Sequence, residues 1–134
     1  MINKGGFYMK NNAKFYRCPI CGNIVELLDG DMSRVMCCGR AMEEMTANTT
    51  DAAVEKHVPA YEKVESEIVV KVGEVEHPME KEHYIMWIAQ VAEDRINRVT
   101  LYPEQSTETR FPYIPDSVIY AYCNKHGLWK VEVK

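Results

Sequence analysis

Ser117-Val-Ile-Tyr-Ala-Tyr-Cys123-Asn-Lys-His126-Gly127-Leu-Trp129 reads as a strand, a tight turn and the start of a second strand. Branched and aromatic residues favour the extended chain, and the glycine marks the turn. Outward from this hairpin, the chain from Tyr61 onward repeats one theme: short period-two runs separated by turn residues. Strands are predicted at Glu67–Val72, Tyr84–Val91, Ile96–Tyr102, Thr107–Phe111, Val118–Tyr122 and Leu128–Val133, with a hairpin turn at Glu93-Asp-Arg95. Six or seven short strands without a long helix predict an all-β antiparallel sandwich.

The same stretch carries chemistry. Cys123-x-x-His126 is a spacing at which a thiolate and an imidazole can face one metal ion. Alone it is a weak signal. The other three histidines, however, also lie in short distinctive motifs, Glu55-Lys56-His57 and His77-Pro-Met-Glu-Lys-Glu-His83. Taken singly, each residue has a plainer reading. A histidine is more often a surface or satisfied core residue, and Cys123 a small buried hydrophobe. Glu55 and Lys56 are solvated charges by the same standard, and Trp87 and Trp129 are packing residues, with Trp129 also a candidate wall of the site. Concentration shifts the balance, because every histidine of the chain sits in such a motif. Pro78 stiffens the path between His77 and His83, Cys123 ends a strand, and His57 arrives from the preceding bridge; loops and strand ends of a sandwich gather at its ends. Four imidazoles and one thiolate are unlike a structural zinc site. A thiolate pushes electron density toward a ligand bound opposite it, which suits iron and small anionic oxygen species.

Before the sandwich lies a compact cysteine-rich segment, Lys14 to about residue 40, with the pattern C-x2-C-x15-C-C formed by Cys18, Cys21, Cys37 and Cys38. Gly22 lets the backbone turn so that amides point at sulfur. Ile24–Leu28 and Arg34–Met36 are expected to pair as a hairpin joining the two cysteine pairs. So few residues bury little core, so a metal must supply the missing stability. Adjacent cysteines favour rubredoxin-type iron modestly over zinc, and both metals stay open. Ala41 to Pro59 forms a bridge. Helical turns are expected at Met42–Met45 and Thr50–His57, with Thr50 or Asp51 as a cap and Pro59 as the stop. Residues 1–13 read as a polar extension.

The chain has 134 residues, a net charge of -4 and no basic block, which argues against nucleic acid as a partner. No run is long and apolar enough to cross a membrane, and the first residues lack a signal-peptide core, so a cytoplasmic location is expected. Five cysteines, four of them crowded together, point to metal binding rather than a disulfide framework. An acidic protein repels an anionic substrate unless positive charge is placed locally.

Together these motifs resemble desulfoferrodoxin, the two-iron class of superoxide reductase. The resemblance runs from about Phe15 to Val133. It rests on the Cys18-x-x-Cys21 and Cys37-Cys38 pairs, Ala47-Asn-Thr with Asp51-Ala-Ala, Glu55-Lys56-His57-Val-Pro59, His77-Pro78-Met79 and Cys123-Asn-x-His126-Gly-Leu-Trp129. It implies a desulforedoxin-like domain over residues 14–45, with one iron on four cysteines, and an immunoglobulin-like catalytic sandwich over residues 46–134. It further implies a second iron with His57, His77, His83 and His126 as equatorial ligands and Cys123 as the axial one. The implied reaction is one-electron reduction of superoxide to hydrogen peroxide. Lys56 would attract the anion and help orient protons, and Glu55 would bind the oxidised iron after turnover. The family is dimeric, and a small redox protein such as rubredoxin is the expected donor. Two other readings compete: a rubredoxin-type electron carrier with the sandwich as scaffold, and a zinc-stapled binding module. Metal analysis and visible spectra separate them. Two irons per chain are expected, with an oxidation-dependent charge-transfer band that His126→Ala abolishes; zinc alone, or one iron without the band, would contradict the catalytic reading.

Overall fold

The computed structural model describes residues 13–50, 52–73 and 75–134. The extension therefore falls outside the described residues except for Ala13, as does the expected cap Asp51. The chain divides into two compact units, one ending at Thr46 and the other spanning Ala47–Lys134.

The described residues of the first unit form five short strands: β1 (Lys14–Arg17), β2 (Ile24–Leu27), β3 (Met36–Cys37), β4 (Arg40–Ala41) and β5 (Glu43–Glu44). β1 lies between β2 and β5, and β3 pairs with β4 in a separate ribbon. The expected hairpin between Ile24–Leu28 and Arg34–Met36 does not form. Each cysteine pair instead sits in the turn region of its own hairpin, β1 with β2 around Cys18 and Cys21, and β3 with β4 around Cys37 and Cys38. Lys14–Arg17, with its aromatic pair Phe15-Tyr16, lies nearer to β2 along the chain than β3 does, and a short loop costs less entropy to close than a long one. The helical turn expected at Met42–Met45 is likewise a strand edge: Arg17 pairs with Glu43 and Tyr16 with Glu44. Tertiary pairing has overridden local propensity there.

The second unit opens with one helical turn, α1 (Val54–His57), followed by β6 (Pro59–Val64), β7 (Glu67–Val72), β8 (Ile85–Val91), β9 (Ile96–Thr100), β10 (Thr109–Pro112), β11 (Val118–Cys123) and β12 (Gly127–Glu132). The turn is capped at Ala53 without a side-chain bond, not at Thr50. Val58 ends it in extended conformation, and Pro59 begins a strand that the period-two pattern did not single out. Two antiparallel sheets result, ordered β10-β7-β6 and β12-β11-β8-β9. The hairpin turn at Glu93-Asp-Arg95 is closed by the Ala92 amide donating to the Arg95 carbonyl, 2.9 Å.

Alternation puts Ile68, Val70 and Val72 of β7 on the inner face, against Ile85 and Ile88 of β8 and Ile119, Ala121 and Cys123 of β11. Pairing of β11 with β8 shifts register between Tyr122 and Cys123, where Tyr122 faces Trp87 but Cys123 faces Ile85. Such a bulge bends a strand and re-aims its side chains. It falls at the residue that must present sulfur. Ile68 is fully buried, so Ile68→Ala is expected to lower unfolding free energy by about 2–5 kcal/mol, whereas Tyr102→Ala at the exposed end of the strand region should change it by less than about 0.5 kcal/mol. Denaturant titration of the two variants checks the contrast.

Candidate metal centres

In the first unit, Cys18, Cys21, Cys37 and Cys38 bring their sulfurs within 4.8 Å of one another. Successive side chains on an extended chain point to opposite faces, so adjacent cysteines would diverge. Cys38 avoids this by adopting a left-handed φ of 53°. The Cys21 and Cys37 sulfurs stand 3.6 Å apart, far beyond a disulfide bond. Metal–sulfur bonds of about 2.3 Å would set tetrahedral sulfur–sulfur edges of about 3.8 Å. The spacing therefore fits a tetrahedral ion. The amides of Ile20 and Cys21 both donate to the Cys18 sulfur at 3.4 Å. The Cys21 amide does most to lower the Cys18 thiol to about 6, while contact with the Cys18 sulfur, then Cys21, pushes Cys37 up to about 12. Four sulfurs this close cannot all shed protons unless a cation joins them.

The second group is assembled from four places in the sandwich unit. His57 is the last residue of α1, and its Nδ1 lies 2.7 Å from the Ala53 carbonyl one turn back. His77 follows the segment after β7, and its Nδ1 lies 2.7 Å from the carbonyl of Pro78. His83 closes a two-bond bridge with Glu80, at 2.9 and 3.1 Å, just before β8. Cys123 ends β11, and His126 occupies the turn into β12. His57, His77, His83 and Cys123 offer donor atoms within 4.8 Å of one another. His126 joins them through Nδ1, 3.1 Å from His57 Nε2 and 3.9 Å from the Cys123 sulfur.

The four rings form a square. Going round from His57 to His77, His83, His126 and back, ring centres are 4.6, 4.8, 5.0 and 4.8 Å apart. Each neighbouring pair is nearly perpendicular, at 75–86°. Across the square, His57 and His83 are 6.4 Å apart and only 25° from parallel. Metal–nitrogen bonds of about 2.1 Å, plus roughly 1.1 Å from nitrogen to ring centre, put opposite imidazoles about 6.4 Å apart. Carbonyl bonds at Nδ1 of His57 and His77 fix the tautomer that leaves Nε2 free to ligate. Nε2 of His77 and of His83 are buried without a hydrogen-bond partner. Buried polar atoms are normally paired, so these two point to an ion. Both donor sets thus fit metals, one by its sulfur spacing and the other by its orphaned nitrogens.

Burial lowers the pKa of His57, of His83 and most of all of His77, to about 4. These imidazoles are neutral at pH 7 and ready to ligate. Burial raises the Cys123 thiol, against amides of Lys125 and His126 that favour the thiolate. Metal loading must therefore expel the Cys123 proton.

Glu55 and Lys56 lie on α1 beside His57, with exposed side chains. One neighbour of the group was given no role in the sequence. Asn124 ties the His83 segment to the Cys123 turn: its Oδ1 accepts from the Tyr84 amide at 3.0 Å, its Nδ2 donates to the Glu82 carbonyl at 3.0 Å, and its amide donates to the Tyr84 carbonyl at 3.2 Å. An amide side chain between two candidate ligands was the available signal. Trp129 stacks on His57 at 4.9 Å and 24°, and its indole N–H donates to the His126 carbonyl, 3.0 Å, which gives the expected wall a definite form.

Fold and site define a two-centre metalloprotein, with one all-thiolate knuckle and one imidazole–thiolate square. Residues 49–132 match the desulfoferrodoxin family and residues 10–45 the desulfoferrodoxin N-terminal domain. Desulfoferrodoxin of Syntrophotalea carbinolica is 46% identical over 125 residues, covering 92% of this chain and 99% of the relative. Superoxide reductase of Pyrococcus abyssi is 39% identical over 110 residues, covering 66% of this chain and 95% of the relative. Among solved structures, the superoxide reductase of Treponema pallidum superposes with a TM-score of 0.71 at 30% identity, over 91% of this chain and all of the other. The chain belongs to the desulfoferrodoxin family.

The depressed histidines give the metal-free protein a defined pH dependence. The folded His77 pKa, about 4, lies below the ordinary 6.5, so the unfolded chain binds more protons between those values. That contribution to stability is complete above pH 6.5 and is lost as pH falls toward 4. Denaturant midpoints of the apoprotein should drop from pH 7 to pH 5, and the drop should be smaller in His77→Gln.

Proposed function

We infer that this chain is a superoxide reductase, an enzyme that converts superoxide, one electron and two protons into hydrogen peroxide. The observation that carries the reading is the square of four imidazoles with a buried thiolate beside it and two nitrogens left without partners. His57, His77, His83 and His126 would hold one iron, with Cys123 as a fifth ligand. The four cysteines of the first unit would hold a second metal, iron by the family resemblance and zinc as the alternative. Iron on the imidazole–thiolate set supplies the one-electron chemistry.

The chain's own residues set the conditions. Neutral imidazoles add no negative charge, so the site stays attractive to an anion although the protein as a whole carries -4. Lys56 places a mobile ammonium beside His57, where it draws superoxide in and helps orient protons, directly or through water. Glu55 would offer a carboxylate to the oxidised metal from the same turn. Amides of Lys125 and His126 directed at Cys123 temper the electron donation of its sulfur. A small redox protein such as rubredoxin is the proposed donor, and a cytoplasmic homodimer the proposed form. Exposed Ile20 and Met36, chain neighbours of Cys21 and Cys37, support an association surface there.

Pulsed-radiolysis or stopped-flow measurement of superoxide consumption tests the reading. Lys56→Ala should retain both metals and lose about ten-fold or more in second-order rate, with a weaker dependence on ionic strength. An electron carrier would be indifferent to the change, and a dismutase would release dioxygen.

A further inference from the structure

Gly73 directly follows β7 with a φ of +80°, and its backbone runs under the turn that carries Glu55, Lys56 and His57. A Cβ built there would stand 2.5 Å from the Lys56 carbonyl oxygen, 2.7 Å from that of Glu55 and 2.6 Å from that of Val75. All three are main-chain atoms, which cannot rotate aside as a side chain would. Either the end of β7 or the turn must move. The other glycines among the described residues differ. Gly30 and Gly39 face open space, and Gly22 and Gly127 would meet only side-chain atoms.

The close approach is reinforced by hydrogen bonds in both directions along the chain. The Gly73 amide donates to the Val58 carbonyl at 3.1 Å, and the Val75 amide donates to the Glu55 carbonyl at 3.0 Å. Within the turn, the Val58 amide donates to Val54 at 3.0 Å and the Lys56 amide to Ala53 at 3.2 Å. Behind Gly73, the Val72 amide is held by the Thr107 hydroxyl at 3.2 Å, and Val72 pairs with Pro59 across β7 and β6. The four-residue helix is too short to hold itself. Its position is set by this contact.

We propose that Gly73 is a positioning residue for superoxide reduction: with no side chain, it seats the Glu55-Lys56 turn against the end of β7 and so fixes where Lys56 projects its charge. The proposal rests on the role given to Lys56 above. Its requirement is steric rather than merely conformational. Asparagine tolerates a left-handed φ but still carries a Cβ, so it should fail as alanine does.

The test compares Gly73→Ala, Gly73→Asn, Lys56→Ala and the Gly73→Ala/Lys56→Ala double variant in the full-length, iron-loaded protein. Iron content and the thiolate charge-transfer band report on the metal sites, and the second-order superoxide rate reports on the turn. Both single Gly73 variants should lose about 10–100-fold in rate with the metals retained. In the Lys56→Ala background, Gly73→Ala should add less than about two-fold, because the group it positions is gone. A Gly73→Ala rate equal to wild type, full rescue by asparagine, or effects that multiply in the double variant would each overturn the proposal. Lys56→Ala at the wild-type rate would overturn the role of Lys56 itself, and this proposal with it. Should Gly73→Ala lose iron, hydrogen–deuterium exchange on the loaded wild type decides. The Gly73 and Val75 amides should exchange about 100-fold or more slower than open chain, and exchange at the open-chain rate would refute the clamp.

Discussion

Nε2 of His77 and Nε2 of His83 are buried with nothing to bond, and much of the sandwich end is arranged around that fact. Each unpaired nitrogen costs about 1–3 kcal/mol when buried. A fold retains two such atoms side by side only if a cation meets them. Perpendicular neighbours, with His57 and His83 near parallel across the square, let four imidazoles approach one point without their edges colliding. Carbonyl bonds on the far nitrogens of His57 and His77 keep the near ones free, and the stacked Trp129 ring keeps His57 from turning.

The sandwich turns this local requirement into a rigid site. His83 and Cys123 are delivered by neighbouring strands of one sheet, and His126 by the hairpin turn that follows Cys123. The bulge opposite Ile85 falls at the cysteine. Cys123 also belongs to the hydrophobic core, with Ile85, Ile88 and Ala121 as fellow members. The burial that raises its thiol pKa also gives the thiolate a strong incentive to bind a cation. Asn124 makes the His83 segment and the Cys123 turn a single body. The α1 turn depends instead on the end of β7, so the one motif that carries both a ligand and the proposed charged groups is set by packing against a different strand.

The first unit works on another principle. Among its described residues only Phe15 and Cys18 are buried, which is too little apolar area for a core. Its order rests on two hairpins whose turns face one another with four sulfurs between them. A metal held there would supply the stability that so small a core does not. The left-handed backbone at Cys38 is the local strain that lets adjacent cysteines serve one ion.

Much of this was legible in the residues. Period-two alternation located six of the seven sandwich strands, because burial of one sheet face leaves its mark on every second side chain. Motif spacing marked the four cysteines and gathered the histidines into candidates, because ligand chemistry restricts residue type. Pairing in the first unit was not legible: Lys14–Arg17 and Glu43–Glu44 carry weak strand signals, and their state follows from the partner each finds. Asn124 was visible as a letter but not as a brace, since its bonds reach forty residues back. Gly73 lay beyond sequence reasoning altogether, because a missing side chain acquires meaning only from what stands against it. By itself, the sequence determined which chemistry was available and where the chain alternates. The tertiary structure alone decided the square, the orphaned nitrogens and the seat of α1, because each depends on distances between segments that the chain order does not encode.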